Sequence, residues 1–161
     1  MKSCHEVEFA LFYTTEDLMR FQQDFFTNKR GLLDHYTKMW EQVAVYMSQE
    51  PNLLGYEILN EPIGADAYKN LANVLEPGVS NNKFLLPAYQ KIYAGIRKHD
   101  KRNLVFFEPS VIDVFGGGFF ETLGEESEKE TQVFSYHVYC PAVTKTGEPV
   151  SPKVCSIFDQ L

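Results

Sequence analysis

Apolar residues recur every three or four positions around 34–48. Leu32/Leu33, Tyr36, Met39/Trp40, Val43 and Met47 form one stripe, with Asp34, Lys38 and Glu41 on other faces. This predicts an amphipathic helix over 34–48, stopped by Pro51 and Asn52. The run Leu53-Leu54-Gly55-Tyr56-Glu57-Ile58-Leu59 is short and mostly apolar, and Pro62 and Gly64 follow it. It suits a buried parallel strand that ends at Asn60-Glu61. The stretch 66–80 reads as loop, with Pro77-Gly78 and then Asn81-Asn82 as breakers.

A second helix is predicted over 82–99. Leu85, Ala88/Tyr89, Ile92 and Ile96 make its stripe, and Lys91, Arg97 and Lys98 are expected outside. Leu104-Val105-Phe106-Phe107 is a second buried strand, ending in Glu108-Pro109. A loop with glycines at 116, 117 and 118 follows, and the acidic stretch 124–130 reads as a solvated surface segment. Val133-Phe134-Ser135-Tyr136-His137-Val138-Tyr139 is a third strand, closed by Pro141, with a loop-like tail beyond. No convincing helix separates the second and third strands. Strands alternating with helices mean a parallel sheet with crossover helices, an α/β fold. Every strand ends on polar residues, and in such folds chemistry gathers at the carboxyl ends of strands.

Composition narrows the possibilities. The 161 residues are 44% hydrophobic and 14% aromatic, enough for an ordered core. A net charge of −7 argues against nucleic acid and anionic membranes as partners, because both require basic surfaces. No stretch reaches the roughly 18 apolar residues of a membrane span. Residues 1–10 carry charges where a secretory signal has its apolar region, so no signal peptide is expected. Three cysteines, Cys4, Cys140 and Cys155, are too few for a disulfide framework. Cys140 with Cys155 is the nearest pair, and three free thiols is an equally good reading, so the compartment stays open.

Glu61 is the centre of the candidate chemistry. A carboxyl at a strand end can protonate the leaving oxygen of a glycosidic bond, and the adjacent Asn60 amide can contact a sugar hydroxyl. Against this stands the plain alternative of a loop carboxylate that caps a helix end. The surroundings favour the chemistry. Gly55-Tyr56-Glu57-Ile58-Leu59-Asn60-Glu61-Pro62 resembles the acid/base strand of glycoside hydrolase clan A, family 5. Phe25-Phe26-Thr27-Asn28, Asp34-His35-Tyr36, Met39-Trp40 and Val43-Ala44 resemble the preceding segment in endoglycoceramidase-like members. Phe107-Glu108-Pro109 and Ser135-Tyr136-His137-Val138-Tyr139 are similar to their downstream strands. The likeness covers roughly residues 20–145.

The resemblance implies a (β/α)₈ barrel, with these residues as its central strands and crossover helices. It implies Glu61 as general acid/base and Asn60 as a contact to the sugar beside the scissile bond. It implies His137 as a substrate-binding residue and Tyr139 as a partner of the nucleophile carboxylate. For His137 the alternative is a histidine satisfied within the core, and for Tyr139 it is packing alone. Glu108 either lines the cleft or anchors a neighbouring loop. Tyr56, Glu57 and Trp40 are taken as structural, and no Gly-Lys follows the glycine turn to make a phosphate loop.

The implied activity is retaining hydrolysis of an O-glycosidic bond, with a glycan or glycolipid substrate. The oligosaccharide–ceramide linkage of glycosphingolipids is the first choice, and no metal or organic cofactor is needed. The alternatives are a β-glucanase of the same clan, or a non-catalytic carbohydrate- or lipid-binding remnant. By resemblance the parent protein is secreted or lysosomal. Two departures are expected to matter. The nucleophile carboxylate lies on a later strand in the family, and nothing near the N-terminus matches the Arg and His of earlier strands. A full barrel needs around 250 residues, so 1–161 reads as a partial catalytic domain.

Overall fold

The computed structural model describes residues 12–111, 113 and 117–137. Helix α1, Glu16–Phe26, comes first. Glu16 and Asp17 place negative charge in its first turn, where the helix dipole favours it. Its inward stripe is Met19, Gln23 and Phe26, and a glutamine in that stripe hides the amphipathic period from a reading by hydrophobicity.

Helix α2, Leu32–Met47, begins just ahead of the predicted 34–48, after a 3₁₀ turn at Lys29–Gly31. Asn28 sets this start. Its Oδ1 accepts the Asp34 N–H at 3.1 Å and its Nδ2 donates to Asp34 Oδ2 at 3.0 Å. The strand β1 is only Gly55–Glu57, shorter than its apolar run, although Ile58 N–H still donates to Phe106 O at 3.0 Å. Within the expected loop 66–80 lies one short helix, α3, Ala72–Leu75. A π-helical turn at Asn81–Leu85 then leads into helix α4, Leu86–Arg97.

Strand β2, Leu104–Phe107, falls where predicted, and β3, Gln132–Phe134, covers the first part of its predicted run. Between them stands a 3₁₀ helix, Glu126–Thr131, closed by a reciprocal capping box of Glu125 and Glu128. The acidic stretch is therefore ordered by its own carboxylates. The sheet order is β1-β2-β3 and both pairings are parallel. Tyr56 lies opposite Val105, and Phe107 lies opposite Phe134.

The core sits between this sheet and helices α2 and α4. Tyr56, Ile58, Val105 and Phe107 are buried, as are Tyr89, Ile92 and Ile96 of α4. Aromatic edges fix the packing, with Trp40 6.2 Å from Tyr56 and Tyr89 6.2 Å from Phe107. The opposite face of the sheet is far less covered among the described residues. There Glu57 is exposed, and Leu104 and Phe106 are half-buried. Gly55 allows the tight β1–β2 pairing, because a Cβ on it would meet the Leu104 carbonyl oxygen at 2.3 Å.

Arg97 departs from the sequence reading. It is buried rather than outside, and its guanidinium donates to Asp100 O at 3.0 Å and Thr131 O at 3.2 Å, with its Cζ 4.5 Å from the Tyr93 ring centroid. The planar, permanently charged fork can satisfy carbonyls at the entries to both β2 and β3, a job that helical periodicity does not announce.

Candidate active site

The site forms where the chain leaves the carboxyl ends of β1, β2 and β3. After β1, the Ile58 carbonyl accepts the Tyr36 hydroxyl of α2 at 2.7 Å. Beyond Glu61 the turn is held from several sides. The Ile63 carbonyl accepts both the Ser80 and the Ser110 hydroxyls at 2.6 Å. Ile63 N–H donates to Gln22 Oε1 at 2.8 Å, Asp66 N–H donates to Gln23 Oε1 at 3.1 Å, and Val111 N–H donates to Pro62 O at 2.8 Å. Such a network fixes a loop that would otherwise be free to move, because its main-chain groups are tied to side chains from several elements.

Within this frame Glu61 has φ 47, a left-handed backbone rare for a residue with a side chain. Its N–H donates to Glu108 Oε2 at 2.8 Å. Its carboxylate Oε1 lies 2.7 Å from His137 Nδ1, and His137 Nε2 lies 3.3 Å from Glu108 Oε1. The imidazole is thus set between two carboxylates drawn from different strands. The Glu61 side chain is 21% exposed and that of Glu108 only 3%. Solvent or a ligand can therefore reach the first but hardly the second.

The electrostatics follow from this arrangement. Burial pushes the Glu108 carboxyl above the ordinary glutamate value. The Glu61 N–H pulls it down, and the Glu57 carboxyl facing it pushes it up again. His137 is raised above the usual histidine value, first by its hydrogen bond to Glu61. Burial opposes this, while the charges of Glu108, Glu61 and Glu57 add to it. Tyr89 of α4 closes the base of the site by donating its hydroxyl to the Glu108 main-chain carbonyl at 3.0 Å.

The structure therefore brings together Glu61, His137 and Glu108, three of the residues singled out in the sequence. Asn60 stands beside them at the strand end with an exposed side chain. Tyr139 lies outside the described residues, as do Cys4, Cys140 and Cys155. Glu57, structural in the sequence reading, lies on the face opposite the helices and acts on both Glu108 and His137. The strand alternation Tyr56-Glu57-Ile58 was the available signal, since buried Tyr56 and Ile58 leave Glu57 to the other face. Gln22, Gln23, Ser80 and Ser110 had no signal, because polar residues that hold a main chain follow no period.

Chemically, the arrangement offers a carboxyl that solvent can reach, hydrogen-bonded to an imidazole and mounted on a stiffened turn. Such a group can give up a proton and take it back. No helix among the described residues is long and apolar enough to cross a membrane.

Comparison with known proteins places the chain in a family. Residues 12–156 match the family model described as Cellulase (glycosyl hydrolase family 5). An endoglycoceramidase from Cyanea nozakii is 34% identical over 140 residues, covering 87% of this chain and 28% of the relative. An endoglycoceramidase from Hydra vulgaris is 33% identical over 140 residues, with 87% and 27% covered. Among solved structures, endo-glycoceramidase II from Rhodococcus sp. in an iminocyclitol complex superposes with a TM-score of 0.72 at 20% identity, covering 95% of this chain and 34% of that one. The same Rhodococcus enzyme in its ganglioside GM3 complex gives 0.66 at 21% identity, covering 95% and 33%. The chain thus spans under a third of the length of these curated relatives, and its parallel sheet and helices are part of a (β/α)₈ barrel. It belongs to glycosyl hydrolase family 5.

Proposed function

We propose that this chain supplies the general acid/base of a retaining glycoside hydrolase acting on glycosphingolipids, cutting between oligosaccharide and ceramide. The observation that carries the reading is Glu61, at the end of β1, hydrogen-bonded to His137 and seated on Glu108. In the first step the Glu61 carboxyl gives its proton to the glycosidic oxygen. The C1–O bond breaks with its electron pair on that oxygen, while a second carboxylate from a later strand bonds to C1. In the second step the Glu61 carboxylate takes a proton from water as the water oxygen attacks C1, freeing the sugar and the second carboxylate. Asn60 contacts the sugar beside the scissile bond, and Tyr139 steadies the second carboxylate. The protein groups suffice for this chemistry without a metal or organic cofactor.

The glycolipid substrate is supported by the two endoglycoceramidase relatives. The cellulase description of the family model supports a second reading, a β-glucanase. One experiment addresses both, using the chain carried in a barrel completed with the corresponding strands of the Hydra vulgaris endoglycoceramidase. A ganglioside in detergent should release free oligosaccharide, and Glu61→Gln should lower that turnover by about 10²–10⁴-fold. Aryl glycosides with very acidic leaving groups, which need little protonation, should lose far less. Equal losses for all leaving groups would remove Glu61 from the acid role. Cleavage of soluble β-glucan with the ganglioside untouched would replace the substrate. No turnover of either would favour the binding remnant.

A further inference from the structure

We infer that Glu108 is a positioning residue for the acid. Its carboxylate seats the main chain of Glu61, and through His137 it limits where the Glu61 carboxyl can swing. This deepens the reading of Glu61 as general acid/base and rests on it.

The first observation is strain. Glu61 has φ 47, a left-handed conformation in which the Cβ of an L-residue crowds the backbone carbonyl. Such a residue persists where its surroundings hold it. The second observation is what holds it. The Glu61 N–H donates to Glu108 Oε2 at 2.8 Å, from a side chain that is 3% exposed. A bond from an N–H to a carboxylate is about twice as strong as one between neutral groups. The third observation is the other oxygen. Glu108 Oε1 lies 3.3 Å from His137 Nε2, while His137 Nδ1 lies 2.7 Å from Glu61 Oε1. One carboxylate therefore holds the base of the acid side chain by a hydrogen bond and faces the imidazole at its tip, which it attracts when that ring is protonated.

Glu108 is itself well anchored. It follows the central strand β2, and its main-chain carbonyl accepts the Tyr89 hydroxyl at 3.0 Å. Of the two roles that the sequence left open, lining the cleft and anchoring a neighbouring loop, these contacts are of the second kind. The titratable groups facing Glu108 are Glu57 of β1, Glu61 of the following turn, His137 beyond β3 and the Tyr89 hydroxyl of α4.

Two measurements test the role. In the full chain labelled with ¹⁵N-glutamate, the Glu61 amide proton should move downfield as Glu108 ionises with rising pH. That movement should persist in Glu57→Gln and vanish in Glu108→Ala. An amide that does not titrate, or that titrates unchanged in Glu108→Ala, overturns the proposal. The second measurement does not depend on the chain folding unaided and uses the completed barrel. There Glu108→Ala should lower kcat by about 10–100-fold for poor leaving groups, as for a misplaced catalytic group. It should lower kcat far less for acidic leaving groups, with KM little changed. Glu108→Gln keeps an oxygen for the N–H and should retain most of the rate. If the alanine variant does not fold, Glu108→Asp, whose carboxylate stops a methylene short, should show the same leaving-group dependence.

A uniform loss with raised KM would make Glu108 a substrate contact and overturn the proposal. Glu61→Gln, run in parallel, separates the two readings. Dependence on the leaving group in Glu61→Gln but not in the Glu108 variants sinks the positioning role alone. Dependence in neither removes the acid, and the positioning role with it.

Discussion

At the scale of single residues, His137 is the most direct probe of the site. It touches Glu61 through Nδ1 and Glu108 through Nε2, and its value is raised above 6.5 with the Glu61 hydrogen bond as the largest cause. A raised value means that the folded site binds the proton more tightly than the unfolded chain does. The stabilisation is therefore complete below about pH 6.5 and is lost as pH rises through the higher folded value. Glu61→Gln should bring the His137 ring protons back toward ordinary titration in an NMR experiment, with His137→Asn identifying the resonance. A His137 titration unchanged by Glu61→Gln would mean that the pair does not form in solution. Glu61 was singled out in the sequence because the strand-end pattern around Pro62 sits among segments that resemble the family. Its contacts were not. Glu108 is 47 residues away and His137 is 76 residues away. A hydrogen bond to a main-chain N–H leaves no mark in the spacing of residue types.

At the scale of elements, the turn between α4 and β2 carries a second buried carboxylate. Asp100 accepts the Tyr56 hydroxyl at 2.7 Å, the Asn103 side-chain amide at 2.6 Å and the N–H groups of Arg102 and Asn103. Burial alone would raise it, but the Asn103 N–H, the Tyr56 hydroxyl and the Arg102 N–H override that and hold it at about 2, against an ordinary 3.8. A lowered value means that the folded state prefers the ionised form. This contribution is therefore present above about pH 4 and is lost as pH falls toward 2. Denaturant midpoints measured across that range should fall more steeply for the parent chain than for Asp100→Asn. Parallel curves would show that these donors do not depend on the charge. The strand β2 and helices α2 and α4 could be read from the sequence because apolar residues drive them and apolar periods are visible. Helix α1 and the 3₁₀ helix at Glu126–Thr131 could not, since one buries Gln23 and the other is built on carboxylate caps.

At the scale of the whole molecule, β1 and β3 each pair on one side only among the described residues. Large apolar side chains stand in the open, including Leu54, Phe120, Phe134 and Tyr136. Unpaired edges and uncovered apolar surface both promote association. The 161 residues by themselves should therefore self-associate on sedimentation, and they should not turn over a fluorogenic β-glycoside or a glycosylceramide. Retaining hydrolysis needs a second carboxylate about 5–5.5 Å from the first, and Glu108 is already committed to the N–H of Glu61. Turnover by these residues alone that is lost in Glu61→Gln would sink this expectation and promote another group to nucleophile. The parallel, helix-crossed architecture was visible in the order of strands and helices along the chain. That they make up only part of a barrel was visible from the roughly 250 residues a full one needs, and relatives several times longer agree.

The hydrogen bond from Glu61 to Glu108 also bears on how such barrels can be recombined. A crossover between two relatives anywhere from 62 to 107 would take the acid from one parent and its seat from the other. A cut after residue 63 would also part Ile63 from Ser110 and Pro62 from Val111. Substitutions at groups in direct contact do not add independently, so hybrids with breakpoints inside this interval should fail more often than those cut outside residues 22–137. The natural module for shuffling is the block from Gln22 of α1, which accepts the Ile63 N–H, through His137, which meets Glu61. By this measure the smallest inheritable unit of the site is larger than any one strand and its loop.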